Sequence, residues 1–145
     1  MKQIFFAAVL VLAGFTSIAA DKNINEKLVQ AFNETYPNAV EVSWLAYPES
    51  YIVYFEEKGV KANIIFSQDG TFIRSTRYYT KEYLPFYLTT AIREKFPERT
   101  IYSVTEVSTP DNIDYYVKLE DAKTWMTVKV DSEGNIRRLE KLNKD

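Results

Sequence analysis

The chain has 145 residues, 18 basic and 20 acidic side chains, a formal net charge of −2, and neither histidine nor cysteine. The near-balance of charge argues against nucleic-acid binding, which calls for a clustered basic surface. The missing residue types exclude thiol catalysis, Ser-His triads, Cys/His zinc sites and disulfides.

The N-terminus has the pattern of a secretory signal peptide. Lys2 precedes an apolar run over residues 4–15, and small side chains follow that run. The run is shorter than the roughly 20 residues that span a bilayer, and no later stretch approaches that length. We therefore predict a signal peptide over residues 1–19, with cleavage within one residue, and a periplasmic or secreted protein without a membrane span.

Three blocks of the remaining chain occur twice in the same order. The matched segments are residues 28–37 and 88–97, 51–56 and 115–120, and 69–74 and 133–138. Four extra residues in the second copy fall between Val104 and Tyr115, where the sequence is typical of a longer loop. We predict two tandem repeats, over residues 21–77 and 84–145, joined by a linker at 78–83.

Each copy begins with one amphipathic helix. Apolar residues recur at helical spacing, and a proline ends each pattern because it restricts the residue before it. Asn23 or Asn25 can cap the first helix, and Pro85 suits the first turn of the second. The residues that we expect to be buried are Leu28, Ala31, Phe32 and Tyr36 in the first helix, and Leu84, Leu88, Ala91, Ile92 and Phe96 in the second.

After each helix the apolar period changes to two, which predicts β-strands with one covered face. The residues expected to face the helices are Tyr51, Val53, Phe55, Ile64, Phe66, Met126, Val128 and Val130. The pattern predicts an α+β fold in which each copy contributes a helix and four antiparallel strands. The two copies would join into one curved sheet, with both helices on one face and the other face in water.

The order of landmarks resembles a known family. In chain order they are Phe32, Tyr36, Pro37, Asn38 and Ala39, then Trp44, Tyr51 and Phe55, then Asp69-Gly70, and then Leu84-Pro85 before a second such helix. This order resembles the PepSY-like, β-lactamase-inhibitor-like family of exported bacterial proteins over nearly all of the chain after the signal peptide. The second copy departs from it at Val104, where a Trp is expected, and at Glu133, where an Asp is expected. The resemblance implies a helix-plus-four-strand unit used twice, with the open sheet face available to a protein partner.

The alternate side chains of the strands supply the candidate binding residues. Tyr54, Tyr116 and Trp125 are aromatic residues on the predicted open face, with Ile65 and Lys118 on the same face. Tyr and Trp are enriched at interface hot spots, so we predict these five residues as partner-binding candidates. The alternative is that they form ordinary cross-strand pairs that hold the sheet.

The carboxylates do not suggest catalysis. Glu56-Glu57 and Glu120-Asp121 are neighbours on strands, so the two members of each pair point to opposite faces and cannot form a glycosidase site. The segment 131–135 lacks the spacing of a calcium loop and is explained by a hairpin glycine.

We therefore predict a non-enzymatic binding module without metal or cofactor, a monomer or weak dimer, that contacts a protein or peptide. The family resemblance implies an inhibitor-like role for this contact. The alternatives are a small-molecule or glycan-binding envelope protein and a self-associating structural protein.

Overall fold

The computed structural model describes residues 24–145, and the predicted signal peptide at 1–19 lies outside them. Within these residues, two α-helices and a short 3₁₀ helix accompany one eight-stranded antiparallel sheet, in which the strands lie side by side in chain order. The elements are α1 (Glu26–Thr35), β1 (Val40–Ala46), β2 (Ser50–Glu57), β3 (Val60–Ser67), β4 (Phe72–Tyr79), a 3₁₀ helix (Lys81–Tyr83), α2 (Phe86–Lys95), β5 (Thr100–Ser108), β6 (Ile113–Glu120), β7 (Thr124–Asp131) and β8 (Ile136–Asn143). No helix within residues 24–145 is both long and apolar enough to cross a membrane.

Local sequence signals account for the ends of α1. The Asn25 side chain accepts a hydrogen bond from the Lys27 N–H at 3.0 Å, which satisfies one of the free donors of the first turn. Leu28 and Phe32 are buried against the sheet. The expectation for Ala31 was wrong: it is exposed, because the packed stripe follows the larger side chains three and four positions apart.

The second helix begins directly after a proline. Pro85 occupies the N-cap position of α2, where its missing N–H costs no helical hydrogen bond. Leu88 and Ile92 are 0 % and 2 % exposed and form the centre of the contact with the sheet. Ala91 and Phe96 are only partly buried, at the margin of that contact.

The register between strands shows that both helices lie on one face of the sheet. Ala62, Arg77, Glu106, Tyr115 and Val130 are successive cross-strand partners from β3 to β7, so their side chains point to the same side. Ala62 belongs to the apolar cluster around α1, and Val130 belongs to the cluster around α2. The α+β class and the single sheet are therefore confirmed.

The predicted alternation along the strands is also observed. Of the residues expected to face the helices, Phe66 is half-buried and packs at the edge of the core, and all the others are buried. The segment between the two halves of the sheet is more ordered than a loop. Tyr78 and Tyr79 belong to β4, and Lys81–Tyr83 form the 3₁₀ helix.

Truncation of Leu88 tests the contact between α2 and the sheet. Leu88→Ala should lower the free energy of unfolding by about 3 kcal/mol, because it removes buried methyl groups and leaves a cavity. Urea titration followed by circular dichroism measures this loss. The exposed Leu139 on β8 supplies the matched control, since Leu139→Ala should change stability by less than about 0.5 kcal/mol. Equal losses in the two variants would contradict the packing described above.

Candidate functional site

The five predicted binding residues all lie on the sheet face opposite the helices. Tyr54 is on β2, Ile65 on β3, Tyr116 and Lys118 on β6, and Trp125 on β7. Each alternates with a residue of the covered face, and each is exposed or half-buried. The Trp125 indole is thus not beneath a helix, and all five side chains can be reached from one side of the protein.

Trp125 is the centre of a compact cluster at the β7 end of this face. The Tyr102 ring meets the indole edge-on, with centroids 4.9 Å apart and an interplanar angle of 72°. The ammonium nitrogens of Lys118 and Lys144 lie 4.9 Å and 4.3 Å from the indole centroid. Lys144 also forms a 2.7 Å ion pair with Glu120, the cross-strand partner of Trp125. We call Tyr102, Lys118, Trp125 and Lys144 the indole cluster.

Tyr116 lies beside this cluster in a cross-strand row that contains two tyrosines and three cationic residues. Lys129 is its cross-strand partner, with Nζ 5.8 Å from the centroid of the Tyr116 ring and 2.7 Å from Asp114. The row continues across the sheet through Lys61, Tyr78, Thr105, Tyr116, Lys129 and Arg137. Tyr78 is 48 % exposed, so an accessible aromatic side chain also occupies the middle of the open face.

The structure separates the candidates into two groups. Tyr116, Lys118 and Trp125 lie on the adjacent strands β6 and β7. Tyr54 and Ile65 lie on β2 and β3, where exposed Leu45 adds to their apolar surface. Five interstrand spacings of about 4.8 Å place Tyr54 on β2 about 24 Å across the sheet from Trp125 on β7, and three spacings, about 14 Å, separate β3 from β6. One small ligand cannot touch both Tyr54 and Trp125.

A polar cluster interrupts the covered face between the two helices. The Arg77 guanidinium forms a 3.2 Å ion pair with Glu106, whose other carboxylate oxygen accepts a 2.5 Å hydrogen bond from the Tyr79 hydroxyl. Burial, reinforced by the adjacent Glu106, raises the pKa of Tyr79 well above its usual range. Tyr79 therefore stays a neutral donor, and Glu106 is an acceptor with two partners.

A cleft of about 300 Å³ opens beside this polar cluster, next to α1. Its floor is apolar, and hydroxyl and charged groups surround the opening. The lining residues are Tyr36, Phe55, Glu57, Val60, Ala62, Ile64, Ser75 and Arg77. Burial raises the pKa of the Tyr36 hydroxyl above its usual value, so the group at the opening is a neutral donor and acceptor. A cavity of this size and mixed lining is suited to a small amphipathic molecule.

Three features of these sites were not predicted from the sequence: Tyr102, Lys144 and the Arg77–Glu106 pair. A bulge between Ile101 and Ser103 disturbs the alternation at Tyr102, so a strict period of two does not place it. Glu106 is two residues after the buried Val104, which is the strand spacing of side chains on one face. This spacing was the sequence signal for a polar group on the covered face.

The carboxylate of the 131–135 turn is occupied by its own backbone. Asp131 accepts hydrogen bonds from the N–H groups of Glu133 and Asn135, both at 2.9 Å, and the Asn135 side chain donates to its second oxygen. These bonds lower the pKa of Asp131. Gly134 has φ of 89°, as a tight hairpin turn requires.

Comparisons with known proteins support the fold. No family model and no characterised protein sequence matches the chain. A DUF2874 family protein from Bacteroides uniformis ATCC 8492 matches with a TM-score of 0.59 and 18 % identity, over 83 % of this chain and 89 % of that one. A BLIP-like protein (BF1215) from Bacteroides fragilis NCTC 9343 matches with a TM-score of 0.58 and 17 % identity, over 88 % and 89 %.

A third solved structure is similar to the same extent. It is a protein from Bacteroides eggerthii DSM 20697 with a provisional periplasmic assignment, which matches with a TM-score of 0.59 and 17 % identity, over 86 % of this chain and 89 % of that one. At these identities the likeness establishes a shared BLIP-like fold.

Removal of one hydroxyl tests the polar cluster between the helices. Tyr79→Phe should lower the free energy of unfolding by about 2 kcal/mol, because Glu106 loses a buried, charge-assisted donor. Urea titration at pH 7 measures the change. Tyr78→Phe is the matched control, because the Tyr78 ring lies on the open face. The stability of this variant should remain close to that of the wild type. An unchanged free energy of unfolding in Tyr79→Phe would mean that the hydrogen bond from Tyr79 to Glu106 does not stabilise the fold.

Proposed function

We propose that the protein is an exported, non-enzymatic module that binds another protein through the open face of its sheet. The binding residues are Tyr54, Ile65, Tyr116, Lys118 and Trp125, and Tyr102, Tyr78 and Lys144 extend the same surface. The proposal includes two PepSY-like repeats, over residues 21–77 and 84–145, joined by the segment 78–83.

The observation that carries this proposal is the spread of accessible aromatic side chains over one face. Tyr54 and Trp125 lie about 24 Å apart by strand spacing, and Tyr78 lies between them on β4. A standard protein interface covers about 800 Å² on each partner, which corresponds to a patch of this width. A macromolecular partner can contact both ends of the patch, whereas a small molecule cannot.

The indole cluster has the features of a preorganised contact. Tyr102 and two lysine ammonium groups hold the Trp125 ring in place, so little side-chain entropy is lost when a partner binds. Lys118 forms no ion pair with a carboxylate among residues 24–145. Its ammonium group is available for an acidic side chain of the partner, beside an aromatic ring that supplies apolar contact area.

The shared fold favours an inhibitor-like role within this class. The chain has the architecture of a BLIP-like protein, and a sheet face that grips an enzyme is what the family resemblance implies. We propose an exported hydrolase as the partner, on this analogy of fold. The periplasmic or secreted location agrees with the pattern of residues 1–19 and with the provisional location of a structural neighbour.

Substitutions on the open face test the binding surface. Trp125→Ala and Tyr54→Ala should each weaken partner binding at least tenfold, because truncation of a hot-spot aromatic costs more than about 1.4 kcal/mol. The protein over residues 21–145 would be used to capture partners from a periplasmic extract. Each captured protein would then be purified, its affinity measured by calorimetry, and its hydrolase activity titrated with the wild type.

Phe86→Ala is the matched control, because Phe86 is an aromatic residue that is 82 % exposed on the helix side of the protein. It should bind the partner as the wild type does. Melting temperatures separate binding from folding, and the two open-face variants should stay within a few degrees of the wild type. If both variants instead unfold early and bind normally when folded, these aromatics only hold the sheet together.

A second candidate function is small-molecule binding in the cleft next to α1. The observation that favours it is the cavity of about 300 Å³, with an apolar floor and with Arg77, Glu57 and the Tyr36 hydroxyl at its opening. This volume lies at the lower end of the range for ligand pockets. The cleft is on the face opposite the open sheet, so occupation of one site does not block the other.

A cleft-filling variant distinguishes the two candidates. Anilinonaphthalene sulfonate, an amphipathic anion, should gain fluorescence in the wild type and lose at least tenfold in affinity when Ser75→Trp fills the cleft. Arg77→Gln should weaken it less, because it removes the charge at the opening but leaves the apolar floor, and the loss of the Glu106 ion pair would appear separately as a lower melting temperature. Trp125→Ala is the control and should leave the dye affinity unchanged. Retained dye binding in Ser75→Trp would exclude the cleft as the site.

Self-association through the β8 edge of the sheet is disfavoured by the composition of that strand. Arg137, Arg138, Glu140 and Lys141 place charges along this outer strand, and charged side chains on an edge oppose pairing with another chain. We therefore propose that the protein binds its partner as a monomer or weak dimer.

A further inference from the structure

A small cavity lies on the helix side of the protein, apart from both the open face and the cleft. Its volume is about 190 Å³, and its walls come from the 3₁₀ helix, α2 and the start of β5. The lining residues are Lys81, Thr89, Ile92, Arg93, Arg99, Thr100 and Ile101. Three of these side chains are cationic, two carry hydroxyl groups, and none is acidic.

The positive charge of this cavity is only partly compensated by the protein. Lys81 and Arg93 form no ion pair within residues 24–145. Arg99 has one close partner, Asp121, whose pKa of about 2, lowered mainly by the Lys123 N–H and the Thr124 side chain, keeps it ionised. Like charges brought together near a surface repel each other unless an anion lies between them.

Arg99 supplies the second, independent observation. Its side chain is only 4 % exposed, and Nη2 donates to Asp121 at 2.6 Å and to the Thr124 hydroxyl at 2.8 Å. Its Nε and Nη1 are buried without a hydrogen-bond partner among the described residues. The Glu98 carboxylate is 3.9 Å from Nε, beyond hydrogen-bonding distance, and is 65 % exposed. An unsatisfied buried guanidinium is costly, so this group requires an acceptor.

The geometry points to a binding site for a phosphate group at this cavity. A guanidinium presents donors that match phosphate oxygens, and Lys81 and Arg93 add charge that favours a dianion over a monovalent carboxylate. The Thr89 hydroxyl has only a 3.5 Å contact with the Pro85 carbonyl, which leaves it available as a further donor. The cavity is smaller than the usual range for drug-sized ligands, so it accepts a free phosphate or the phosphate end of a larger molecule.

The position of this site gives phosphate a structural effect. The cavity lies between the 3₁₀ helix, which belongs to the segment connecting the two halves of the sheet, and the elements α2 and β5. A ligand that binds only the folded state raises its stability in proportion to the logarithm of ligand concentration. Phosphate would therefore stabilise the protein, and the effect would be separate from partner binding on the open face.

Calorimetry and thermal unfolding with inorganic phosphate test this site. Phosphate should bind one site and, at about tenfold over its dissociation constant, raise the melting temperature by about 5 °C compared with sodium chloride of the same ionic strength. Lys81→Gln and Arg93→Gln, two exposed positions that should fold normally, should each weaken binding at least tenfold. Arg74→Gln removes an exposed cation from β4 on the other face and is the matched control, with unchanged phosphate affinity.

Two further measurements distinguish the sources of the anion and the role of Glu98. The first is sedimentation with phosphatidylglycerol vesicles. If the protein sediments with the vesicles, and Arg93→Gln or added inorganic phosphate abolishes this, the same site binds the phosphate of a lipid headgroup. Vesicle binding without binding of inorganic phosphate would overturn the proposal. Glu98→Gln should leave stability unchanged and bind phosphate at least as well as the wild type. If it is as unstable as an Arg99→Gln variant, Glu98 is the partner of Arg99 and no anion site exists. Equal melting temperatures in phosphate and chloride would also overturn the proposal.

Discussion

The structure depends on one constraint: every strand from β2 to β7 must present its apolar side chains to the same face. Val53, Val117 and Val128 are completely buried on that face, and cross-strand pairing keeps their neighbours aligned with them. A shift of one residue in any pairing would bring a strand's apolar set into water, so the register is strongly determined. The same constraint leaves the opposite face without cover, and it is there that the accessible aromatic side chains lie.

The covering layer is smaller than the sheet that it covers. Eight strands about 4.8 Å apart make a sheet about 34 Å wide, whereas each helix is about 10–12 Å across. The gap between α1 and α2 is where the covered face becomes polar, with Arg77, Glu106 and Tyr79 satisfying one another. The cleft lies beside that gap, and the cationic cavity at Arg99 lies under the margin of α2. Both cavities follow from incomplete cover by short helices.

Sequence patterns predicted the faces of the strands because side-chain direction in a strand depends only on local geometry. The placement of Tyr54, Tyr116 and Trp125 on the open face could be read in this way. Two kinds of error had different causes. Ala31 was expected to be buried since it fits the helical period, but a small side chain at the margin of the stripe does not reach the sheet. Tyr102 was missed because a bulge disturbs the alternation that the pattern assumes.

The sequence alone determined the element order, the covered side of most strands and the chemistry that missing histidine and cysteine exclude. Only the tertiary structure decided which distant side chains meet. Lys144 reaches Trp125 from beyond β8, and Arg99 reaches Asp121 in the turn between β6 and β7. Periodicity is a local property of the chain. These contacts instead depend on strand register and on the position of each helix on the sheet. Both are set only when the whole apolar face is buried.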